Sequence, residues 1–438
     1  MSSFVGAGVD VVWSALVPFR QDWPVVVTIG VIGVLSWSTW AARRLLSCRY
    51  RPHPPGWTTT VSVVVPSFRE DPAVLLDCLR TWLAEDPDEV LVVLDGDDPS
   101  ARAALLRAAD PRLHVVVAPR AGKRAALATG IRLASGEVVV LTDSDTRWEP
   151  GLLVAVQAPF ADPAVGAVGT RQNVFRPDTA LWRRVADWII DNRYLDHVPA
   201  TGRAGAVVCV SGRTAAYRRR VVLPVLAFLE DERFLGRRCV AGDDGRLTWL
   251  VLASGHRTVH QSTARATSMF PSTFRGFCRQ RVRWARNSYR CYLTAVWNGW
   301  LWRVPVISQL TVVQILLTPV TGAAAVYYVV LAGTQPRTAL ALPVALVWLM
   351  VGRGVRSVAH LRRRPSDVLL LPLVTLVVLL VALPIKTWAF VTMNRQAWLT
   401  RDESRTGGEA QDAASVRLAL PVPRRAVVPV RVEPVAGD

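Results

Sequence analysis

The sequence predicts an α/β domain, with a mostly parallel sheet and helices on both sides, inserted between transmembrane and interfacial α-helices. Three observations predict it. Runs of β-branched residues alternate with helical segments from Val61 to Leu141, the pattern of parallel strands buried on both faces. Long apolar stretches occupy 24–41 and 304–393 and are flanked by arginines. Polar residues gather at the carboxyl ends of the strands, where open α/β sheets hold their ligands.

Residues 4–19 are apolar but short and interrupted by Asp10, whereas 24–41 come close to the ~20 residues that cross hydrocarbon. Both are read as membrane helices of a first unit, 1–50. The linker Arg51-Pro-His-Pro-Pro-Gly-Trp-Thr58 resets the pattern. Strands are expected at 61–65, 90–94, 113–118 and 138–141, with helices at 72–84, 100–109 and 122–134, in a central unit covering 58–265. Within it, Leu181, Trp182, Val185, Trp188 and Ile189 share one helical face, opposite Arg183, Arg184, Asp187 and Asp191. That pattern suits a helix lying on a membrane or a core helix. A more basic and aromatic amphipathic segment forms a unit at 266–300. Apolar blocks at 304–332, 338–352 and 366–393 make a C-terminal transmembrane bundle, 303–394. Pro319 and Pro384 are the candidate breaks where one block folds back. The tail, 395–438, is rich in Pro, Arg and Val and is expected to be partly disordered.

The 438 residues carry a formal charge of +18, which by itself would suit a nucleic-acid partner. The positions argue otherwise. Arg43, Arg44, Arg49 and Arg51, and the arginines from Arg353 to Arg364, abut apolar blocks as positive-inside flanks do, and no nucleic-acid motif accompanies them. This predicts a multi-pass plasma-membrane protein in contact with lipid, its α/β unit cytosolic. Cys48, Cys78, Cys209, Cys239, Cys278 and Cys291 show no metal-ligand spacing and are expected as free thiols.

The chemistry falls at the strand ends. The first strand runs into Pro66-Ser67-Phe68-Arg-Glu70, a loop able to cradle a base. The second ends in Asp95-Gly96-Asp97-Asp98, where a carboxylate can accept from a base N–H or a ribose hydroxyl, although such residues also make ordinary turns. Gly122-Lys123-Arg124 opens a helix and offers cations and backbone N–H groups to a pyrophosphate. Lys123 is one of two lysines among fifty-two basic residues. The fourth strand ends in Asp143-Ser-Asp145, two carboxylates suited to a hard divalent cation, Mg2+ or Mn2+, that also grips a diphosphate. Further on, Gly242-Asp243-Asp244 offers a general base for an attacking hydroxyl, Asp244, with Asp243 orienting it. Either aspartate would equally cap the helix that follows. Gln280, Arg283 and Trp284 are spaced i, i+3, i+4 and so share a helix face. There an indole can support a sugar ring and a guanidinium can bind phosphate.

The order Asp95, Gly122-Lys-Arg124, Asp143-Ser-Asp145, Ser211-Gly212, Gly242-Asp-Asp244, Gln280-x-x-Arg283-Trp284 resembles processive family 2 glycosyltransferases. Among these it is most similar to hyaluronan synthases and their chitin-oligosaccharide and cellulose synthase relatives, over about 60–401. Leu383-Pro-Ile-Lys-Thr-Trp388 and Trp398-Leu-Thr-Arg401 resemble the hyaluronan synthase tail, with Leu399 in place of a glycine. Arg213 departs from the usual Ser-Gly-Pro. The resemblance implies a GT-A domain and an inverting, processive transfer of UDP-sugars to a growing, secreted glycan. UDP-GlcNAc would be the donor, alone or alternating with UDP-GlcA. It implies donor contacts from Ser67, Glu70, Asp95, Lys123, Arg124, Asp143, Trp398 and Arg401, and a metal contact from Asp145. It places Ser211, Gly212, Gln280, Arg283 and Trp284 at the acceptor, with Asp243 and Asp244 catalytic. The rival readings are a non-processive family 2 enzyme acting on a polyprenyl phosphate, and a membrane transporter or scaffold carrying a degenerate transferase domain.

Overall fold

The computed structural model describes residues 23–119, 121–333 and 341–395; the expected helix at 4–19 and the tail beyond 395 lie outside them. The valine-rich runs pair as parallel strands: β1 (Val61–Ser67), β2 (Glu89–Asp95), β3 (Leu113–Ala118) and β4 (Val138–Thr142). β5 (Thr146–Trp148), β6 (Val165–Val174) and β7 (Thr214–Arg218) follow. A small hairpin, β8 (Arg233–Phe234) and β9 (Arg237–Arg238), precedes β10 (Arg257–Ser268). Eight strands form one mixed sheet in the order β3-β2-β1-β4-β7-β6-β10-β5. β7 runs antiparallel to β4 and β6, which turns the sheet where β4 delivers its Asp-x-Asp.

Every residue of β1 and β4 is buried, so helices must cover both faces. Pro72–Leu83 supplies Trp82, whose indole is fully buried and donates to the Thr146 carbonyl at 2.8 Å. Burial of a ring that size contributes on the order of 4 kcal/mol before entropy is counted. Asp71 caps that helix and Asp98 caps Pro99–Ala108, each accepting a backbone N–H.

Helix Leu181–Asn192 is a core helix. Val185 and Trp188 are buried, and so are Arg183, Asp187 and Asp191 on the face expected to meet water. The polar face is buried because it has partners, which rules out an exposed surface helix. His360 places Nδ1 at 3.0 Å from Asp191 and Nε2 at 2.8 Å from Asp367. Arg363 reaches Asp191 at 3.1 Å, and Arg184 pairs with Asp367. The Trp188 ring lies 4.8 Å from the His360 ring, and its N–H donates to Ser357. This network fastens the α/β domain to the C-terminal helices.

Helix Trp23–Cys48 runs seven residues past the expected span and docks on the same assembly. Arg43 donates to Gln314, and beyond the helix Tyr50 donates to the His260 carbonyl. The expected break at Pro319 is present: Val306–Leu316 and Thr318–Ala324 meet at 50°. Pro384 breaks nothing. The helix continues through it because a π-helical turn, Val378–Ala382, lies immediately upstream and accommodates the missing N–H. Among the described residues, one helix, Pro365–Val391, is long and apolar enough to cross a membrane, or two spans if the bent pair counts as one.

Burial pulls the His360 pKa down, but hydrogen bonds and attraction from Asp191 and Asp367 outweigh it and hold the imidazole above its ordinary value. The stabilisation is therefore complete below about pH 6.5 and is lost as pH rises through the raised folded-state value. Thermal unfolding of the purified protein is expected to shift to lower temperature as pH rises above about 6.5. His360→Gln should flatten that dependence and cost about 3 kcal/mol at low pH, since it strands two buried carboxylates. A pH profile unchanged by the substitution would show that the network does not hold the domains together.

Candidate active site

The site forms where β4, the loop before β7, helix Asp243–Ala253 and helix Phe274–Trp297 converge. Lys123, in the first turn of Lys123–Leu133, lies between two carboxylates: Nζ is 2.8 Å from Asp143 and 3.1 Å from Asp243. Burial lowers the Lys123 pKa, but the two aspartates more than compensate and raise it above the usual lysine range. Burial pushes Asp143 up, Lys123 opposes the rise, and Asp145 and Asp243 add to it. One ammonium thus joins the Asp-x-Asp of β4 to the Gly-Asp-Asp loop.

Gly242 adopts φ +81°, a left-handed turn that suits glycine, and the helix begins at the next residue. Asp243 and Asp244 therefore sit in its first turn, where the macrodipole favours negative charge; neither side chain is the N-cap. Asp244 accepts from the Gly245 N–H at 2.8 Å and the Gly212 N–H at 3.5 Å, and is half-buried facing the cavity. Gly212 packs closely here: a Cβ would lie 3.1 Å from Asp243 Oδ2 and 3.3 Å from Asp244 Cβ, so one of the two aspartates would have to give way by a few tenths of an ångström. The Ser211–Gly212 loop is held from behind by Gln172, whose amide donates to the Ser211 and Thr214 carbonyls, and by Thr248, which accepts the Val210 N–H.

Thr273 caps helix Phe274–Trp297, and the cavity is lined by Gln280, Arg283, Trp284, Asn287, Ser288, Cys291 and Tyr292 from this helix. Those positions extend i, i+3, i+4 through two further turns. The last four were missed in the sequence, although the same helical period would have found them. Gln172 carried no signal at all, because its role depends on a loop forty residues away. Gln280 Oε1 is buried without a partner.

Of the other expected residues, Lys123, Asp143, Asp145, Ser211, Gly212, Asp243 and Asp244 line this one cavity. Ser67 and Asp95 lie outside its lining: Ser67 is fully buried, and the Asp95 carboxylate accepts the Ala121 and Gly122 N–H groups, fixing the turn before Lys123. Glu70 accepts from Ser144 at 3.1 Å, tying the first loop to the Asp-x-Asp. Arg124, expected at a pyrophosphate, is not part of the cavity lining. Its guanidinium is buried, paired with Glu232 at 2.5 Å and donating to the Gly242 carbonyl, because a side chain one position past Lys123 leaves the helix in another direction. It braces the Gly-Asp-Asp turn instead. Trp398 and Arg401 lie outside the described residues. Among the described residues no group of three or more His, Cys, Asp or Glu could hold a metal alone. Asp143 and Asp145 suit the other arrangement, in which one or two carboxylates share an ion with substrate phosphates.

A mixed sheet carrying Asp-x-Asp at the end of β4, across a cleft from a carboxylate on a separate helix, defines a glycosyltransferase of the GT-A fold. Residues 55–287 match the family model described as Glycosyltransferase like family 2, and the chain belongs to that family. It is similar to an N-acetylglucosaminyltransferase of Mesorhizobium japonicum, 33% identical over 81% of this chain and 84% of the relative. An N-acetylglucosaminyltransferase of Sinorhizobium fredii is 31% identical over 79% and 85%. The mannosyltransferase PcManGT from Pyrobaculum calidifontis, solved with GDP-Man and Mn2+, shares the fold with a TM-score of 0.55 at 22% identity, over 79% of this chain and 97% of that one.

The close approach at Gly212 gives a test of the site's geometry. Gly212→Ala must displace Asp243 or Asp244, at roughly 1–3 kcal/mol of overpacking. Turnover is expected to fall at least about tenfold, since a shift of this size disturbs near-attack geometry. Full turnover in the variant would mean that neither carboxylate acts where it stands.

Proposed function

We propose that this chain is a membrane-embedded, inverting β-glycosyltransferase that elongates a glycan acceptor processively with GlcNAc from UDP-GlcNAc. The observation that carries this reading is the single cavity lined by Lys123, Asp143, Asp145, Asp244, Gln280, Arg283 and Trp284. The two relatives named N-acetylglucosaminyltransferase support GlcNAc as the transferred sugar. Alternation of UDP-GlcNAc with UDP-GlcA, as in a hyaluronan-type enzyme, is the second reading, favoured by Leu383-Pro-Ile-Lys-Thr-Trp388.

In this mechanism Asp244 takes the proton from the acceptor hydroxyl as it attacks the anomeric carbon. Its bonds to the Gly212 and Gly245 N–H groups fix the carboxylate's orientation. Lys123 holds Asp243 and Asp143 in register and screens the carboxylates from one another. Gln280, with its unpartnered oxygen, and the Trp284 indole orient the acceptor sugar, while Arg283 takes the diphosphate. Asp145 and Asp143 would hold Mg2+ or Mn2+, which offsets charge on the departing diphosphate.

The membrane part rests on surface. Val320, Val330, Trp348, Leu369, Leu380 and Val391 are exposed on the C-terminal helices, an apolar surface that water would not favour. With helix Trp23–Cys48 they would form a multi-pass plasma-membrane region that carries the product outward from a cytosolic site.

Purified full-length protein offered a panel of UDP-sugars should release UDP from UDP-GlcNAc and fall to background in excess chelator. Asp244→Asn should lose at least about a hundredfold in turnover while keeping UDP affinity. Turnover confined to another donor, or untouched by chelator, would overturn those parts of the reading. In sealed vesicles with the α/β domain outside, coupled secretion predicts product that resists an added glycosidase until detergent is present. Product digested without detergent would leave the chemistry standing and remove the export.

A further inference from the structure

Arg213 joins two of the elements that build the cavity, each with a different part of itself. Its main-chain carbonyl accepts the Thr142 hydroxyl at 2.9 Å and the Asp143 N–H at 3.3 Å, where β4 ends in the Asp-x-Asp. Its side chain lines the cavity, is buried, and lies against two aromatic rings. The guanidinium Cζ is 5.4 Å from the Trp284 centroid and 5.2 Å from that of Phe270. Those two rings also meet each other edge to face, with centroids 5.8 Å apart and planes at 83°.

The surroundings hold the arrangement in place. Phe270 is buried, and its carbonyl accepts from Arg183 Nε at 3.0 Å. Arg213 Nε donates to Ser211 Oγ at 3.4 Å. Arg281, half-buried and one turn before Trp284 on the same helix, places its Cζ 5.0 Å from the indole. An indole on a helix can turn about two side-chain bonds, and a platform for a sugar works best when its angle is set before the sugar arrives. A guanidinium against the ring and a phenyl ring meeting it edge to face both favour one angle over others. Lysine would bring the charge without the flat surface. At this position the chain departs from Ser-Gly-Pro, and a proline would keep the carbonyl contact but bring no cation to the rings.

We propose that Arg213 is a positioning residue for the acceptor. Its side chain fixes the angle of the Trp284 indole, and its carbonyl refers that angle to the Asp-x-Asp at the end of β4. This rests on the glycosyltransferase reading above, in which Trp284 supports the acceptor sugar. One consequence separates the two contacts. Any substitution keeps the carbonyl, so losing the side chain should weaken the acceptor and spare the nucleotide.

The test uses the purified full chain with a β-linked GlcNAc oligosaccharide as the acceptor probe. Calorimetry measures binding of the oligosaccharide and, separately, of UDP with Mn2+. UDP release and free GlcNAc together give the share of donor lost to water. Arg213→Met keeps a long side chain and removes the cation. It should weaken oligosaccharide binding about three- to tenfold, the scale of a cation–π contact, and raise the hydrolysed share. UDP affinity should stay within about twofold. Arg213→Lys should recover part of the loss. In a Trp284→Leu background, Arg213→Met should have no further effect, because the interaction it removes is already gone. Loss of UDP affinity in step with the acceptor, or a full-sized loss in the Trp284→Leu background, would show the arginine acting on the fold or directly on the sugar and overturn the proposal. So would oligosaccharide binding that Arg213→Met leaves unchanged, or that wild type lacks. The expected binding cycle with no UDP release from UDP-GlcNAc would instead sink the catalytic reading and leave the positioning role standing.

Discussion

The ion triplet Asp143–Lys123–Asp243 is the constraint on which the site depends. The two aspartates arrive from different directions, one at the end of β4 and one in the first turn of a helix a hundred residues later. Two carboxylates facing one buried volume repel, and each is disfavoured by burial. A single ammonium between them turns that repulsion into a clamp. Asp95 prepares it by fixing the turn from which the Lys123 helix starts, and Arg124 supports it from behind by gripping the Gly242 carbonyl. Three residues expected to touch a nucleotide thus divide their work: one faces the cavity and two hold the loops that shape it.

A second dependence runs along helix Phe274–Trp297. One face of it lines the cavity for more than three turns, and the helix packs along Leu383–Val391. Arg286 donates to Thr392, Arg290 to the Met393 carbonyl, and Tyr289 meets Phe390 edge to face. The wall that would hold an acceptor is therefore continuous with the apolar helix Pro365–Val391. Together with the His360 network on helix Leu181–Asn192, this gives the α/β domain two independent attachments to the C-terminal helices.

Much of this was legible in the sequence, for physical reasons that differ by element. The first four strands and their helices were readable because each strand is short, β-branched and buried on both faces, so composition and period agree. The Asp-x-Asp, Gly-Asp-Asp and Gln-x-x-Arg-Trp groups, which line one cavity, were readable because each is a short run whose spacing fixes its shared direction. The antiparallel strand β7 and the long β6–β10 pair were not foreseen, since Thr214–Arg218 reads as neither a clean apolar run nor an alternation. Helix Leu181–Asn192 was ambiguous because its charged face looks solvated until His360, Arg363 and Arg171 arrive from distant parts of the chain. Arg124 was misplaced for a related reason: adjacency in sequence to a functional lysine says nothing about direction on a helix.

The distribution of charge in the cavity follows from these placements and bears on how substrates would lie in it. Asp143, Asp145, Asp243, Asp244 and Lys123 line it together with Arg193, Arg213 and Arg283, and Arg281 lies against the Trp284 indole. Four carboxylates facing one cavity suit a divalent cation, and a diphosphate brought with that cation would be attracted where bare anions are repelled. The guanidiniums of Arg213 and Arg281 lie against aromatic faces, which tolerate cations without neutralising them. Under the proposed transfer, a diphosphate carried in with that cation would be oriented before any hydrogen bond to the protein is made, and the acceptor hydroxyl would be directed to Asp244.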